Sequence, residues 1–203
     1  MAKEIECKIL GMSVMELLGR GLDRGVHLDE KGFHADAMEV TDRYWKFPDS
    51  FSGRKFPEVR YRTSCRKEDP KYATRDLTIK GREENDGKYS SERDELIIPI
   101  DPEVVADPHV VEKFLHALGG RLTLTVVKER IFIENELGVR IQHDSLEAHG
   151  IEMEWVEIEA DTLKELHDFM FALGVGEFRH RVSNKTTLDL IDEVKTTNWE
   201  WAK

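Results

Sequence analysis

The sequence predicts an α+β protein, an antiparallel β-barrel of eight strands with helices inserted between the strands and packed outside them. Extended runs in which polar and apolar residues alternate recur along the whole chain. The connections between these runs are short, which favours a single domain over residues 1–203, of which about 1–195 are structured. An open sheet of so many strands would expose its edges, and closure into a barrel removes them.

In the first half of the chain, strands dominate and one helix interrupts them. Residues 4–9 predict a strand, and Ser13 with Glu16 has the capping-box spacing that begins a helix over residues 14–24. Further strands are predicted over residues 33–47, 58–64, 73–84 and 88–100. The last two are separated by Asn85-Asp86-Gly87, which is typical of a hairpin turn.

The second half of the chain adds three strands and three helices. Asp107 and Pro108 predict the beginning of a helix that Gly119 and Gly120 end, and Thr162 predicts the cap of another. Strands are predicted over residues 121–134, 138–144 and 151–160, and the later helices over residues 163–174 and 184–194.

Composition excludes several classes of protein. The 41 acidic residues outnumber the 30 basic ones, and the net charge of −11 argues against a nucleic-acid-binding surface. Cys7 and Cys65 are too few for a disulfide framework. No apolar stretch has the length of a membrane span or the position of a signal segment, so the sequence predicts a cytoplasmic protein.

The charged residues of the predicted strands follow a pattern. Glu4, Glu6 and Lys8 occupy alternate positions and therefore share one face of the first strand. A solvated strand face can look the same, but here the pattern recurs with the signs segregated by strand. The other strands carry Arg60 and Arg62, Lys80 and Arg82, Arg93 and Glu95, Lys128 and Arg130, Arg140 and Asp144, and Glu157 and Glu159. Like charges at such short spacing repel, and a bound polyanion with its cations would offset the cost.

Residue type assigns a role to each group of charges. The carboxylates are hard oxygen ligands that suit Mg²⁺ or Mn²⁺, provided that the first and last strands are neighbours in the barrel. The predicted metal ligands are Glu4, Glu6, Asp144, Glu157 and Glu159. Arginine and lysine side chains more numerous than one phosphate needs fit a chain of phosphates. The residues predicted to bind it are Arg60, Arg62, Lys80, Arg82, Lys128 and Arg130.

Taken in the order in which they occur along the chain, the charged motifs resemble those of the CYTH, or triphosphate tunnel metalloenzyme, superfamily. The matching segments are Glu-x-Glu-x-Lys at Glu4–Lys8, Asp-x-Tyr at Asp42 and Tyr44, Arg-x-Arg at Arg60 and Arg62, Leu-Thr-Ile-Lys ending at Lys80, Arg-x-Glu at Arg93 and Glu95, Lys-x-Arg at Lys128 and Arg130, Asp144, and Val-Glu-Ile-Glu at 156–159. The resemblance implies a triphosphate bound inside the barrel by basic residues that include Lys8, Arg93 and Lys185. It also implies one or two Mg²⁺ or Mn²⁺ ions, and Lys8, Tyr44 and Lys80 as catalytic residues.

The resemblance leaves three functions open. The leading hypothesis is a metal-dependent hydrolase that releases the terminal phosphate of tripolyphosphate or of an organic triphosphate. The alternatives are a class IV-type adenylate cyclase and a non-catalytic module that binds nucleotides or polyphosphate. Lys46 and Glu58 stand where family members often have an acidic residue and, in vertebrate thiamine triphosphatases, an aromatic one. The predicted partner is a small-molecule triphosphate, without membrane or nucleic acid, and the protein is predicted to be a monomer or homodimer.

Overall fold

The computed structural model describes residues 2–29, 37–48, 58–67, 73–80, 91–135 and 139–194, and it confirms the α+β fold. Within these segments there are eight long strands, as predicted, and two short ones. The strands are β1 (Ala2–Leu10), β2 (Leu28–Asp29), β3 (Met38–Lys46), β4 (Glu58–Arg66), β5 (Ala73–Lys80), β6 (Ser91–Pro99), β7 (Arg121–Asn135), β8 (Arg140–Ala148), β9 (Ile151–Ala160) and β10 (Val182–Ser183). The helices are α1 (Val14–Arg24), α2 (His109–Ala117), α3 (Leu163–Ala172), a 3₁₀ helix (Val175–Arg181) and α4 (Thr187–Val194).

The predicted caps position the first and third helices. The Ser13 side chain accepts a hydrogen bond from the backbone N–H of Glu16, and α1 ends at Gly25, whose φ of 70° suits a glycine. Thr162 and Glu165 cap the start of α3 reciprocally, as a capping box requires. Both helices therefore begin where the sequence predicts.

Several predicted boundaries differ from the structure. The strand predicted over residues 138–144 runs from Arg140 to Ala148. The last helix begins at Thr187 instead of residue 184, because Val182–Ser183 pairs with β1 and Thr186 then caps the helix with Asp189. The strand predicted over residues 33–47 is seen from Met38, and residues 30–36 lie outside the described residues. The turn predicted at Asn85-Asp86-Gly87 also lies outside them.

All strand pairings in the described segments are antiparallel, and together they join the eight long strands in a ring. Along the sheet, hydrogen-bonded neighbours follow the order β10-β1-β6-β5-β4-β3-β7-β8-β9. β1 pairs with β6 through residues 2–6 and with β9 through residues 5–10, so it bridges the two ends of that path. The first and last long strands are thus neighbours, as the sequence predicts.

The two faces of the strands differ in polarity. On β1, Ile5, Cys7 and Ile9 face outward and pack in the largest hydrophobic core, together with residues of α1 and α3. Glu6 and Lys8 alternate with them and are also buried, so they face the interior of the ring. The hydrophobic core therefore lies between the strands and the helices, and the interior is charged.

Helix α4 covers one end of this interior. Its Leu190, Ile191 and Val194 are buried in a cluster that also contains Tyr44 of β3 and Trp155 of β9. Tyr44 and Trp155 lie on the same strand faces as the interior charges, two residues from the next interior position. At this end the interior is consequently filled by apolar side chains. None of the helices in the described part of the chain is long and apolar enough to cross a membrane.

Candidate metal and phosphate site

Three buried glutamates from two neighbouring strands meet in the interior. Glu6 lies directly opposite Glu159 in the pairing of β1 with β9, and Glu157 is two residues before Glu159 on the same face. One carboxylate oxygen from each of the three lies within 4.8 Å of the other two. Three carboxylate oxygens at this separation form a group that can hold a Mg²⁺ or Mn²⁺ ion.

Positively charged and amide groups hold these carboxylates in place. The Nζ atom of Lys8 lies 2.8 Å from Glu6 Oε1 and 3.1 Å from Glu157 Oε2, so it bridges two of the glutamates. Gln142 Nε2 donates a hydrogen bond of 2.6 Å to Glu159. Three buried carboxylates without such partners would repel one another strongly, since the interior screens charge poorly.

The basic residues occupy the other walls of the interior. On β7, Lys128 and Arg130 both bind Asp144 of β8, with Nζ and Nε each 2.6 Å from a carboxylate oxygen. On β4, Arg62 makes two hydrogen bonds, of 2.6 and 2.8 Å, to Asp42 of β3. Two buried aspartates thus hold the cationic side chains in fixed positions beside the glutamates.

The electrostatics of the aspartates follow from these contacts. Burial acts to raise the pKa of Asp42, but the charges of Arg62, Arg60 and Lys128 outweigh it and hold the pKa well below its usual value of 3.8. The pKa of Asp144 is lowered in the same way, where burial is outweighed by Arg130 and Lys128. Both aspartates therefore remain ionised over the physiological range.

Lys128 responds differently from its neighbour Arg130. Burial and the charge of Arg130 lower the pKa of Lys128 from 10.5 to about 8, although Asp144 and Asp42 act against the fall. For Arg130, burial is outweighed by Asp144, and its pKa is raised. Burial, the largest of these effects, therefore disfavours the charged amine of Lys128 more than its two aspartates favour it.

Arg60 has a buried donor that no described residue uses. Its Nη2 donates a 3.1 Å hydrogen bond to Thr78, and its Nε lies 3.8 Å from Asp42, beyond hydrogen-bond distance. Within the described part of the chain, this buried Nε has no hydrogen-bond acceptor. Buried donors are almost always satisfied, so this Nε, which faces the Asp42 carboxylate at 3.8 Å, is an exception.

The structure brings together most of the residues predicted from the sequence. The residues placed in the interior are Glu6, Glu157 and Glu159 of the metal set and Lys8, Arg60, Arg62, Lys128 and Arg130 of the phosphate set. Asp144 is also in the interior, but it binds Arg130 and Lys128 and is not a member of the three-glutamate group. The side chains of Glu4, Lys80 and Arg93, and the whole of Arg82, lie outside the described residues.

Two further predicted residues have surroundings that the sequence does not reveal. Tyr44 is buried in the cluster under α4, directly opposite Arg60 in the strand pairing. Lys185 is exposed and forms an ion pair with Glu193, with Nζ to Oε distances of 2.5 and 2.6 Å. The predicted roles of Tyr44 in catalysis and of Lys185 in phosphate binding stay predictions.

Asp42 is a central residue that sequence reasoning did not assign to the site. It is fully buried and lies within 4 Å of Arg60, Arg62 and Lys128. Asp42 lies two residues before Tyr44, so alternation places both on one strand face, and this could have indicated from the sequence that Asp42 belongs to the site. Because strand register is not visible in one sequence, the carboxylate could not be matched to its cations.

Comparison with known proteins agrees with this fold. The sequence matches no protein-family model and no curated protein. The PH1819 protein from Pyrococcus horikoshii OT3 is a solved structure with a TM-score of 0.63, 21% identity, and coverage of 94% of this chain and 99% of that one. HpAC1 from Hippeastrum, a candidate adenylyl cyclase with a dominant triphosphatase activity, has a TM-score of 0.61, 14% identity and coverage of 99% of both chains.

A third structure of the same shape is a candidate adenylate cyclase from Vibrio parahaemolyticus. It has a TM-score of 0.62, 12% identity, and coverage of 94% of this chain and 98% of that one. At identities this low, the structural similarity establishes the fold alone, and the activity has to be inferred from the site residues. Over nearly its whole length the chain shares the fold of these three solved structures.

Proposed function

We propose that this protein is a metal-dependent hydrolase that removes the terminal phosphate of inorganic tripolyphosphate or of an organic or nucleoside triphosphate. The observation that supports the proposal best is the group of three buried glutamates facing buried lysine and arginine side chains in one interior. A divalent cation complements the negative charge of the glutamates, and a chain of phosphates complements the positive charge of the lysine and arginine side chains. The protein is thus suited to phosphoryl transfer, where positioning and charge neutralisation do most of the work.

Each set of residues has a distinct part in this proposal. Glu6, Glu157 and Glu159 would hold Mg²⁺ or Mn²⁺, which supplies positive charge to the phosphate oxygens when it is bound. The guanidinium groups of Arg60 and Arg130 can bind phosphate oxygens in pairs. Asp42 accepts two hydrogen bonds from Arg62 and Asp144 accepts two from Arg130, so the two aspartates would hold these guanidinium groups in position.

Lys8 and Lys128 bind phosphate as ammonium groups in this proposal. Lys8 contacts two of the glutamates, so its Nζ lies beside two of the proposed metal ligands. The lowered pKa of Lys128 rises when an anion is bound beside it, because a nearby negative charge favours the protonated amine. Tyr44 and Lys80 are proposed to assist the attacking water, as the family resemblance implies.

Measured phosphate release tests the proposal. The purified protein is incubated with tripolyphosphate, ATP or thiamine triphosphate and with Mg²⁺ or Mn²⁺, and orthophosphate is expected from at least one substrate. Glu159→Gln should lower the rate at least 100-fold, a loss typical of removing one charged group from a catalytic site. Glu154→Gln is the matched control, since Glu154 lies on the outer face of the same strand and pairs with His143. Folded protein that releases no orthophosphate with any substrate would contradict the proposal.

Product identity separates hydrolysis from the alternatives. Cyclic AMP and pyrophosphate from ATP would identify a cyclase, and equilibrium binding of intact triphosphate without turnover would identify a binding module. HpAC1, which has the same fold, is a candidate adenylyl cyclase with a dominant triphosphatase activity. Hydrolysis is therefore the activity to test first. The oligomeric state, predicted as monomer or homodimer, can be read from the same preparation by light scattering.

A further inference from the structure

Lys8 is a buried cation in direct contact with two members of the three-glutamate group. Its Nζ lies 2.8 Å from Glu6 Oε1 and 3.1 Å from Glu157 Oε2. The side chains of all three residues are at most 9% exposed, so water screens these contacts little. The lysine is therefore a buried counter-ion of two of the carboxylates that would hold the metal.

Two other cations of the described segments lie beside these glutamates and act on them less directly. Arg140 Nε lies 3.0 Å from Glu159 Oε2, but the Arg140 side chain is 55% exposed, so water screens its charge. Arg130 lies 4.0 Å from Glu157 and donates two hydrogen bonds to an aspartate instead. Among the described residues, Lys8 is thus the cation whose charge bears most strongly on the group.

An ammonium group in this position competes with a divalent cation for the same carboxylates. Each ionised glutamate of the group contributes one negative charge, and the buried lysine cancels one of the three. An ammonium a few ångströms from a divalent cation also repels it strongly in an interior that screens charge poorly. The affinity of the group for Mg²⁺ or Mn²⁺ should therefore be low for as long as Lys8 stays on the glutamates.

A phosphate chain bound in the interior gives the lysine another partner. Lysine carries a point charge on a flexible four-carbon stem, so its Nζ can move from carboxylate to phosphate oxygens without a change in the backbone. The phosphates also bring negative charge, which offsets the repulsion between the ammonium group and a metal. Metal and triphosphate should therefore each raise the affinity of the protein for the other, as thermodynamic linkage requires.

We infer that Lys8 keeps the metal affinity of the three-glutamate group low until a phosphate chain binds the lysine, so that the divalent cation and the triphosphate bind cooperatively. This inference rests on the proposed function, because the phosphate chain must bind in the same interior. A lysine that only held the glutamates in place would have the opposite effect on metal binding, since its loss would weaken the site. The sign of the change in metal affinity therefore distinguishes the two roles.

Titration of the protein with Mn²⁺ in the absence of triphosphate measures this sign. Lys8→Met and Lys8→Gln should each bind Mn²⁺ about 10-fold to 100-fold more tightly than the wild type, because both remove the repelling charge. The glutamine can still donate hydrogen bonds to Glu6, so it keeps the test valid if the methionine variant does not fold. Lys128→Met is the matched control, since it removes a buried ammonium that contacts Asp42 and Asp144 instead of the glutamates. Its rise in Mn²⁺ affinity should be smaller than that of either Lys8 variant, because the Coulomb energy falls with distance.

A triphosphate that is not hydrolysed tests the coupling. The dissociation constant of the imido analogue of tripolyphosphate is measured without and with Mn²⁺, and the ratio of the two values reports the coupling. This ratio should be at least about 10-fold smaller in Lys8→Gln than in the wild type. Chelation of Mn²⁺ by the analogue in solution is the same for both proteins and cancels from the comparison.

The outcomes separate this inference from the proposed function. Mn²⁺ affinity that is unchanged or weakened in the Lys8 variants overturns the inference, and so does an unchanged coupling ratio or an equal rise in Lys128→Met. If neither the wild type nor any variant binds Mn²⁺, the metal group is wrong and the inference fails with it. Protein that shows the expected Mn²⁺ affinities but releases no orthophosphate contradicts the proposed hydrolase alone.

Discussion

Replacing Lys128 with methionine should stabilise the protein while weakening triphosphate binding. Lys128 is 3% exposed, and both aspartates that it contacts keep another cation when it is removed. Asp144 retains two hydrogen bonds from Arg130, and Asp42 retains two from Arg62. The substitution therefore removes a buried charge without leaving an unpaired one.

The pKa of Lys128 gives the expected magnitude. A fall from 10.5 to about 8 corresponds to roughly 3 kcal/mol that disfavours the charged amine in the folded protein. This cost already includes the attraction of Asp144 and Asp42, so we expect Lys128→Met to raise the free energy of unfolding by about 1–3 kcal/mol at pH 7. Triphosphate affinity should fall about 10-fold to 100-fold, as one charge-assisted contact is lost.

The pH dependence has a definite sign. Because the pKa of Lys128 is lower in the folded protein, the unfolded chain binds more protons between about pH 8 and 10.5. The free energy of unfolding should therefore rise with pH across this window in the wild type. The same rise should be absent from Lys128→Met, which has no amine to titrate.

Urea unfolding in the presence of EDTA, repeated from pH 7 to pH 10, measures both effects. Arg130→Met is the matched control on the same strand face, and it should destabilise the protein by about 1–3 kcal/mol, because Asp144 loses two charge-assisted hydrogen bonds and keeps the contact with Lys128. If Lys128→Met destabilised the protein by more than about 1 kcal/mol at pH 7, the inference that burial disfavours the Lys128 charge would be wrong.

Three other substitutions test separate parts of the structure. Glu159→Gln should weaken Mn²⁺ binding at least 10-fold in calorimetry, because it removes one of three clustered carboxylates. Asp42→Asn should lower the free energy of urea unfolding by about 2–4 kcal/mol, since Arg62 loses its buried counter-charge. The contribution of wild-type Asp42 should persist well below pH 3.8 and vanish only as the pH falls through its lowered pKa. Leu190→Ala, which opens a cavity under α4, should cost about 2–4 kcal/mol in thermal unfolding; a cost below about 1 kcal/mol would show that α4 is not packed as described.

Alternation along single strands made much of the site predictable. Glu6 and Lys8 could be assigned to one face from the sequence alone, and barrel closure placed them beside Glu157 and Glu159. This assignment needed only the residue types and the identity of the neighbouring strands. The three-glutamate group is therefore the part of the site that can be predicted most directly from the sequence.

Contacts across strands were less predictable. Asp144 has the oxygen chemistry of a metal ligand, but it lies directly opposite Arg130 in the pairing of β7 with β8. A shift of one residue in that register would have turned Asp144 to the outer face, and nothing in either strand alone fixes the register. Lys185 is a similar case, because strand β10 and the cap at Thr186 delay the last helix and leave the lysine outside.

Asp42 and Asp144 reduce the repulsion that results from the segregation of charge by strand. Strands that carry paired basic residues would repel one another across the interior, yet each is adjacent to a strand with one buried aspartate. Glu95 lies 3.8 Å from Arg60 and Glu157 lies 4.0 Å from Arg130, so these glutamates share in the neutralisation, while burial lowers the pKa of Lys128. The two aspartates keep the cations in position in the interior. Stability is therefore below what an apolar interior would give, which is the usual consequence of building a binding site into a fold.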